Sequence, residues 1–209
     1  MTVDPNAEHD NHAPDELVGE RILVRRLEPA DADALWQAID SSREHLAAWM
    51  VWTASYRSVQ DALDWIDHAS AAWDANGDRQ AGIFLAGREA RLLGGIGLHL
   101  LPRGLRSYEI GYWLRQDAQG RGYAREAVQL VTRLAFGPLA ANRVAIRVEP
   151  GNLRSRRVAE SLGFVVEGTA RRAAVGGQGQ AVDVIVHSLI PEEFERLPWA
   201  AGQDLASNA

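Results

Sequence analysis

The sharpest change of hydrophobic period in the chain lies between residues 111 and 136. Tyr112 and Leu114 alternate with Gly111 and Trp113, the two-residue repeat of a strand. Ala124, Ala127, Val128, Val131 and Ala135 then recur at helical spacing, so a strand gives way to an amphipathic helix. A second pair follows. Residues 142–150 read as a strand, Gly151 and Asn152 break it, and Val158, Ala159 and Leu162 mark a helix over 153–162 that Gly163 ends. Asn152 is placed to cap that helix.

The same reading extends to the flanks. Residues 21–27 predict the first strand, and Pro29 and Asp31 open a helix carrying Ala34, Leu35, Ala38 and Ile39. The stretch 45–52 is aromatic without a clean period. Ser58 and Asp61 form a capping pair for a helix over 59–76, with Ala62, Trp65, Ile66, Ala69 and Trp73 on one face. Strands follow at 80–88, 91–101 and 107–115, with turns at Glu89-Ala90 and Pro102-Arg103-Gly104. Strands at 164–174 and 181–189 close the chain around Gly176-Gly177-Gln178-Gly179, and a short helix with a frayed end occupies 191–209. The order β-α-α-β-β-β-α-β-α-β-β predicts one mixed α/β (α+β) domain, a sheet with helices on both faces. Its limits are 18–197, between an acidic, disordered tail over 1–17 and a C-terminal tail over 198–209.

Composition narrows the chemistry. The 209 residues are long enough for one full core. With no cysteine, the chain has no disulfide, thiolate metal site or cysteine nucleophile. No apolar run is long enough to span a bilayer and the N-terminus has no signal-peptide pattern, so a cytoplasmic location is expected. The net charge of −6 equals the six acids of residues 1–20, so the rest of the chain sums to zero. Between Arg103 and Arg172, thirteen arginines face six acids, a local +7 that would attract a polyanion if it is more than a solvated surface. No nucleic-acid motif accompanies it. The isolated histidines suggest no metal site.

At the join of the first strand–helix pair stands Gln119-Gly120-Arg121-Gly122-Tyr123-Ala124. The first amides of a helix lack intrahelical acceptors and sit at its positive end, so small residues there make an anion site suited to a pyrophosphate. The chain has no lysine, which excludes a Walker loop, and arginine stands where a dinucleotide fingerprint needs its third glycine. Gln119, Gly122 and Ala124 match Q/R-x-x-G-x-G/A. With the downstream N-x-x-S…E-S-L-G-F run, this resembles the GNAT superfamily of acyl-CoA-dependent N-acyltransferases. The nearest resemblance is to the branch that acetylates ribosomal-protein N-termini (RimJ/RimL-like), over roughly residues 20–190.

That resemblance implies a mostly antiparallel sheet splayed between two parallel strands, with acetyl-CoA as cosubstrate and no metal. It implies that Gln119, Gly120, Arg121, Gly122, Tyr123, Ala124 and Arg125 hold the pyrophosphate. Main-chain groups of Trp113, Leu114 and Arg115 would contact pantetheine and oxyanion, and Asn152 would bond pantetheine while capping its helix. The tyrosine that many members carry as the acid is Ala159 here, so Ser155 is the candidate for protonating the coenzyme A sulfur; its alternative is to assist capping. Glu109, on the face of Gly111 and Trp113, is the candidate base; its alternative is a cross-strand partner for an arginine. His45, Trp49 and Trp52 resemble an acceptor-lining H-L-x-x-W-x-x-W stretch, or simply pack the core.

The expected function is direct acetyl transfer in a ternary complex to a primary amine, with an alanine- or serine-type protein N-terminus favoured. A small-molecule or antibiotic acetyltransferase, a non-catalytic acyl-CoA sensor, and an unrelated nucleotide-binding domain are the alternatives. A homodimer is implied by the resemblance alone.

Overall fold

A computed structural model describes residues 14–75, 77–87, 90–101 and 105–201. Its strands and helices are β1 (Glu16–Val18), β2 (Ile22–Arg26), α1 (Ala32–Asp40), α2 (Arg43–Ala47), α3 (Val59–Asp74), β3 (Arg79–Leu85), β4 (Leu92–Leu100), β5 (Ser107–Leu114), α4 (Tyr123–Phe136), β6 (Arg143–Val148), α5 (Leu153–Ser161), β7 (Val165–Val175), β8 (Ala181–Leu189) and α6 (Pro191–Phe194). The strands form one sheet in the order β1-β2-β3-β4-β5-β6-β8-β7. Every neighbouring pair is antiparallel except β5 and β6.

The two faces carry separate apolar layers. Ala127, Val128 and Val131 of α4 and Ala159 of α5 pack with Ile22, Ile96, Ile110, Leu114 and Ile146. On the opposite face, Leu35 and Ile39 of α1 meet Ala62 and Ile66 of α3 over Phe84 and Leu92, with Trp113 at the margin. Trp113 and Leu114 are consecutive yet serve opposite layers, as strand alternation requires. The mixed α/β architecture read from the sequence is therefore present, and among the described residues no helix is long and apolar enough to cross a membrane.

The local signals locate the predicted helices. Asp61 N–H meets Ser58 Oγ at 3.4 Å, and Asp61 Oδ2 accepts from Arg57 N–H at 2.9 Å. Asn152 Oδ1 accepts from Ser155 N–H at 3.2 Å, closing the first turn of α5.

Three features depart from the expected element list. The aromatic stretch 45–52 resolves into α2 and a 3-10 turn over Val51–Ser55. The acidic N-terminal stretch gains a strand at its end, because Leu17, 3 % exposed, lies opposite Val24 and joins the core. At the other end, the Trp199 indole donates to Leu162 O at 3.2 Å, while Arg133 Nε donates to Trp199 O at 2.8 Å. These bonds hold the start of the expected C-terminal tail against the domain. Residues 1–13, 76, 88–89, 102–104 and 202–209, including the predicted turns at Glu89 and Pro102-Arg103-Gly104, lie outside the described residues.

Candidate active site

The parallel pair β5–β6 is short by design of its neighbours. Ser107, Tyr108 and Glu109 pair with Arg143, Val144 and Ala145, and there the pairing ends. Beyond it, β5 stays with β4 up to Leu114 opposite Gly94, while β6 stays with β8. The two strands part, and a wedge opens between them towards the α4 N-terminus.

Register decides which main-chain groups face that wedge. Arg115 N–H donates to Leu93 O at 2.8 Å, and Ser107 O accepts from Leu101 N–H at 2.8 Å. In an antiparallel pair one residue's N–H and C=O share a side, and that side alternates along the strand. Trp113 and Arg115 therefore turn their amides to β4, whereas Tyr112 and Leu114 turn theirs to the wedge. Of the three residues expected to offer amides to pantetheine and oxyanion, only Leu114 turns its amide to the wedge. Arg115 is instead held through its main chain by β4 and through its side chain by Asp117, at 3.1 Å. The single period-2 reading could have found this, had the edge facing β4 been known.

The loop expected to hold the pyrophosphate runs as a glycine turn into α4. After a 3-10 turn over Gln116–Ala118, Gly120 and Gly122 take positive φ of 73° and 82°, and Gly122 is the N-cap of α4. That left-handed cap carries no side chain to occupy the helix mouth. The N–H groups of Gly122, Tyr123, Ala124 and Arg125 meet no acceptor among the described residues, whereas Glu126 N–H returns to Gly122 O at 3.1 Å. Glu126, the acid of the first turn, is drawn aside: it accepts from Arg21 Nε at 2.9 Å and from Arg21 N–H at 2.8 Å. Arg21 also donates to Arg121 O at 2.8 Å and lies over the Tyr123 ring. Arg21, Gly122, Arg125 and Arg133 line an open groove beside the helix. Arg21, absent from the sequence-based set, braces this loop from a strand end 100 residues away.

Gln119 ties this loop to two other segments. Its carboxamide donates to His45 Nε2 on α2 and accepts from Arg154 on α5. Burial, assisted by the Arg154 charge, holds His45 below its ordinary pKa, which keeps the ring neutral and able to accept. His45 and Gln119 were expected to serve different ligands; they share one hydrogen-bonded junction. Trp52 packs edge-on against Trp113 at 5.8 Å, and Trp49 lies beside the turn at Gly151. The tip of the β7–β8 hairpin approaches the same helix: a Cβ on Gly177 would lie 2.1 Å from Ala47 O. Trp52 thus packs on the sheet's second face, and Trp49 stands beside the turn that precedes α5.

Ser155 has a partner that sequence could not supply. Tyr112 reaches from β5 to α5, its hydroxyl 2.9 Å from Ser155 Oγ and 3.1 Å from Ser155 O. Burial pushes the Tyr112 pKa up to about 12, against the opposing hydrogen bond to Ser155. A phenol thus sits across the wedge near the position where Ala159 replaces the tyrosine of many members. Ala159 itself is fully buried and packs the core. Glu109, in turn, has the arginine partner that its alternative reading anticipated: Arg147 Nη1 lies 3.7 Å from Glu109 Oε2. Arg147 also donates to Ala173 O at 2.6 Å.

Comparison with known proteins agrees with this geometry. The model of the "Acetyltransferase (GNAT) domain" matches residues 21–165. The chain belongs to the GNAT acetyltransferase family. It is 35% identical over 180 residues to a "Putative ribosomal N-acetyltransferase YdaF" of Bacillus subtilis (strain 168), covering 85% of this chain and 96% of that one. Among solved structures it is similar to a "Probable acetyltransferase", with a TM-score of 0.76 at 32% identity over 83% of this chain and 95% of the other. It also shares its fold with Mycobacterium smegmatis RimJ, solved in complex with CoA-disulfide: TM-score 0.80, 24% identity, 90% and 92% coverage. As a GNAT protein the chain is an N-acetyltransferase, with RimJ/RimL-type enzymes among its structural neighbours.

Proposed function

We propose that the protein transfers an acetyl group from acetyl-CoA directly to a primary amine, with a protein N-terminus as the favoured acceptor. The observation that carries the reading is the set of first-turn amides of α4, free of protein acceptors, at the head of the wedge between β5 and β6. Amides at a helix N-terminus suit a pyrophosphate. Gly122 admits it closely, and Arg125 on the adjoining groove adds charge. The wedge offers the Leu114 N–H to an acyl oxygen, and an extended pantetheine arm can pair with strand edges as a peptide would. The carboxamide nitrogen of Asn152 is the further donor of that arm's path, since its Oδ1 is already spent on the helix cap.

A thioester is already activated, so holding the amine against it supplies much of the rate, on the order of 7–11 kcal/mol at best. Ser155 donates its hydroxyl proton towards the departing sulfur, and Tyr112 holds that hydroxyl in place. With a pKa near 12, Tyr112 is a hydrogen-bond donor and relay, not a net acid, since giving its proton outright to a thiolate is uphill. Two carboxylates, Glu109 on β5 and Glu149 just past the end of β6, flank the wedge as candidates to free the amine of its proton. His45, Trp49 and Trp52 line the acceptor side. The ribosomal type of the named relatives supports a peptide acceptor.

Thiol release across a panel of alanine- and serine-starting peptides and small amines tests the reading, with mass spectrometry of the products. Acetylated peptide N-termini are the expected outcome. Turnover on small amines alone would move the acceptor class. Tight acetyl-CoA binding without turnover would mark a sensor, and stabilisation by ATP or NAD alone would end the proposal.

A further inference from the structure

The acceptor amine must lose its proton close to the thioester, and the two carboxylates differ sharply in where they stand. Glu109 lies opposite Ala145, at the last rung of the β5–β6 pairing. Carrying that parallel register upward sets Gly111 level with Arg147, and Trp113 level with Glu149. Four residues at about 3.3 Å each place Glu149 roughly 13 Å nearer the cofactor loop than Glu109. The wedge-facing amide of Leu114 is one residue above Trp113, so Glu149 is level with the proposed oxyanion donor and Glu109 is not. A base must reach its proton within about 3 Å or through one water.

Face and surroundings agree. Val148 belongs to the core layer under α4, so its neighbours Arg147 and Glu149 are directed to the other face, the one carrying Trp113. Glu149 closes a turn by accepting Asn152 N–H on its main chain at 2.9 Å, and the Trp49 ring packs beside Gly151 within that turn. Trp49, one of the expected acceptor residues, therefore stands beside that turn. Among the described residues its carboxylate has no ion pair and no side-chain hydrogen bond, while Glu109 is paired with Arg147.

The geometry points to Glu149 as the group that takes the proton of the acceptor ammonium. Burial alone raises its carboxyl above the ordinary range; neither Arg147 on its own strand, Glu109 on β5, His45 on α2 nor Arg154 on α5 is among the influences on it. Such a shift brings a carboxylate closer to the working range of a base at neutral pH. The steps balance. Glu149 accepts one proton from the ammonium; the freed nitrogen pair forms the C–N bond as the carbonyl pair moves onto oxygen. The oxygen pair then returns, the C–S bond breaks, and the nitrogen's second proton reaches sulfur through Ser155 and Tyr112. Glu149 releases its proton to water.

The inference rests on the proposed transfer reaction, and the test separates the two. Full-length wild type, Glu149→Gln, Glu149→Asp and Glu109→Gln are assayed for thiol release from acetyl-CoA with an alanine-starting peptide between pH 6 and 9. Thermal shift by acetyl-CoA is recorded for each. Glu149→Gln is expected to lose about a hundredfold in kcat and the acidic limb of the profile, with the acetyl-CoA shift retained. Glu149→Asp should keep the limb at reduced rate, and Glu109→Gln should keep the limb whatever its rate. Glu149→Gln with a wild-type profile, or loss of the limb in Glu109→Gln alone, overturns the assignment. If Glu149→Gln loses the thermal shift as well, the Asp variant decides: a missing limb there also overturns it. A wild type that binds acetyl-CoA yet acetylates no amine refutes the functional reading itself, and the assignment with it.

Discussion

Tyr112 and Ser155 are joined hydroxyl to hydroxyl at 2.9 Å, although they stand on opposite sides of the only parallel step in the sheet. The bond spans the wedge just where β5 has left β6. It couples two hydroxyls, one of them a phenol, beside a helix that carries alanine at residue 159.

Removing the phenol should therefore act on turnover. Tyr112→Phe is expected to lower kcat about tenfold, as loss of one positioned proton-transfer partner does, while unfolding free energy falls by about 1 kcal/mol. Because the Tyr112 pKa lies near 12, the loss should be the same at pH 6.5 and pH 8.5. Steady-state thiol release at both values, with urea unfolding alongside, checks this; a loss confined to one pH would contradict the relay.

Gly122→Ala probes the helix mouth. At φ 82° an L side chain is strained by about 1–2 kcal/mol, and the new Cβ would meet Arg21 Nη2 at 3.1 Å. Acetyl-CoA should bind roughly tenfold more weakly by calorimetry. The amine KM measured at saturating acetyl-CoA should hold.

Gly177→Ala separates the acceptor side from the cofactor side. A Cβ there would stand 2.1 Å from Ala47 O and 2.6 Å from Ala48 C, both main chain, so the hairpin tip must back away from α2. The peptide KM is expected to rise several-fold with acetyl-CoA affinity unchanged. Equal losses on both sides would mean that the hairpin serves the whole fold and not the acceptor groove.

Stability should decline on mild acidification. His187 is fully buried on β8, and burial depresses its pKa below 6.5, only partly offset by Glu160 and by the main-chain oxygens of Ile146 and Ile185. A depressed histidine binds its proton more readily once unfolded, so unfolding free energy falls as pH drops through 6.5 and on towards the folded value. Each unit of depression is worth about 1.4 kcal/mol when pH lies below both. His45 adds in the same sense. Carboxylates held low, such as Asp31 beside Arg25, weaken the fold only further into acid. Urea unfolding at pH 7.5 and 5.5 should show the loss in wild type and a smaller one in His187→Leu.

How far the sequence could be read depended on the range of each signal. The α4 and α5 helices were legible because their caps, Gly122 and Asn152, lie beside their own apolar stripes. Strand β1 was not: three residues, ELV, next to an acidic run, become a strand only because β2 stands ready to pair with them. Glu109 was legible as a carboxylate on the right face, but its height on β5 relative to the wedge depends on where β6 diverges. The Tyr112–Ser155 bond joins residues 43 apart, and Arg21 with Arg121 spans 100; no local pattern encodes either. Gln119 was legible as a loop residue, not as the link between His45 and Arg154.

The lock formed by Trp199 governs how the protein can be handled. Its indole holds Leu162, the residue closing α5, and its carbonyl holds Arg133 on α4, so both helices that frame the site are fastened by one residue near the chain's end. An expression boundary drawn at Leu197, where pattern alone ends the domain, would cut that fastening and loosen α4 and α5 together; affinity tags belong beyond Ala201.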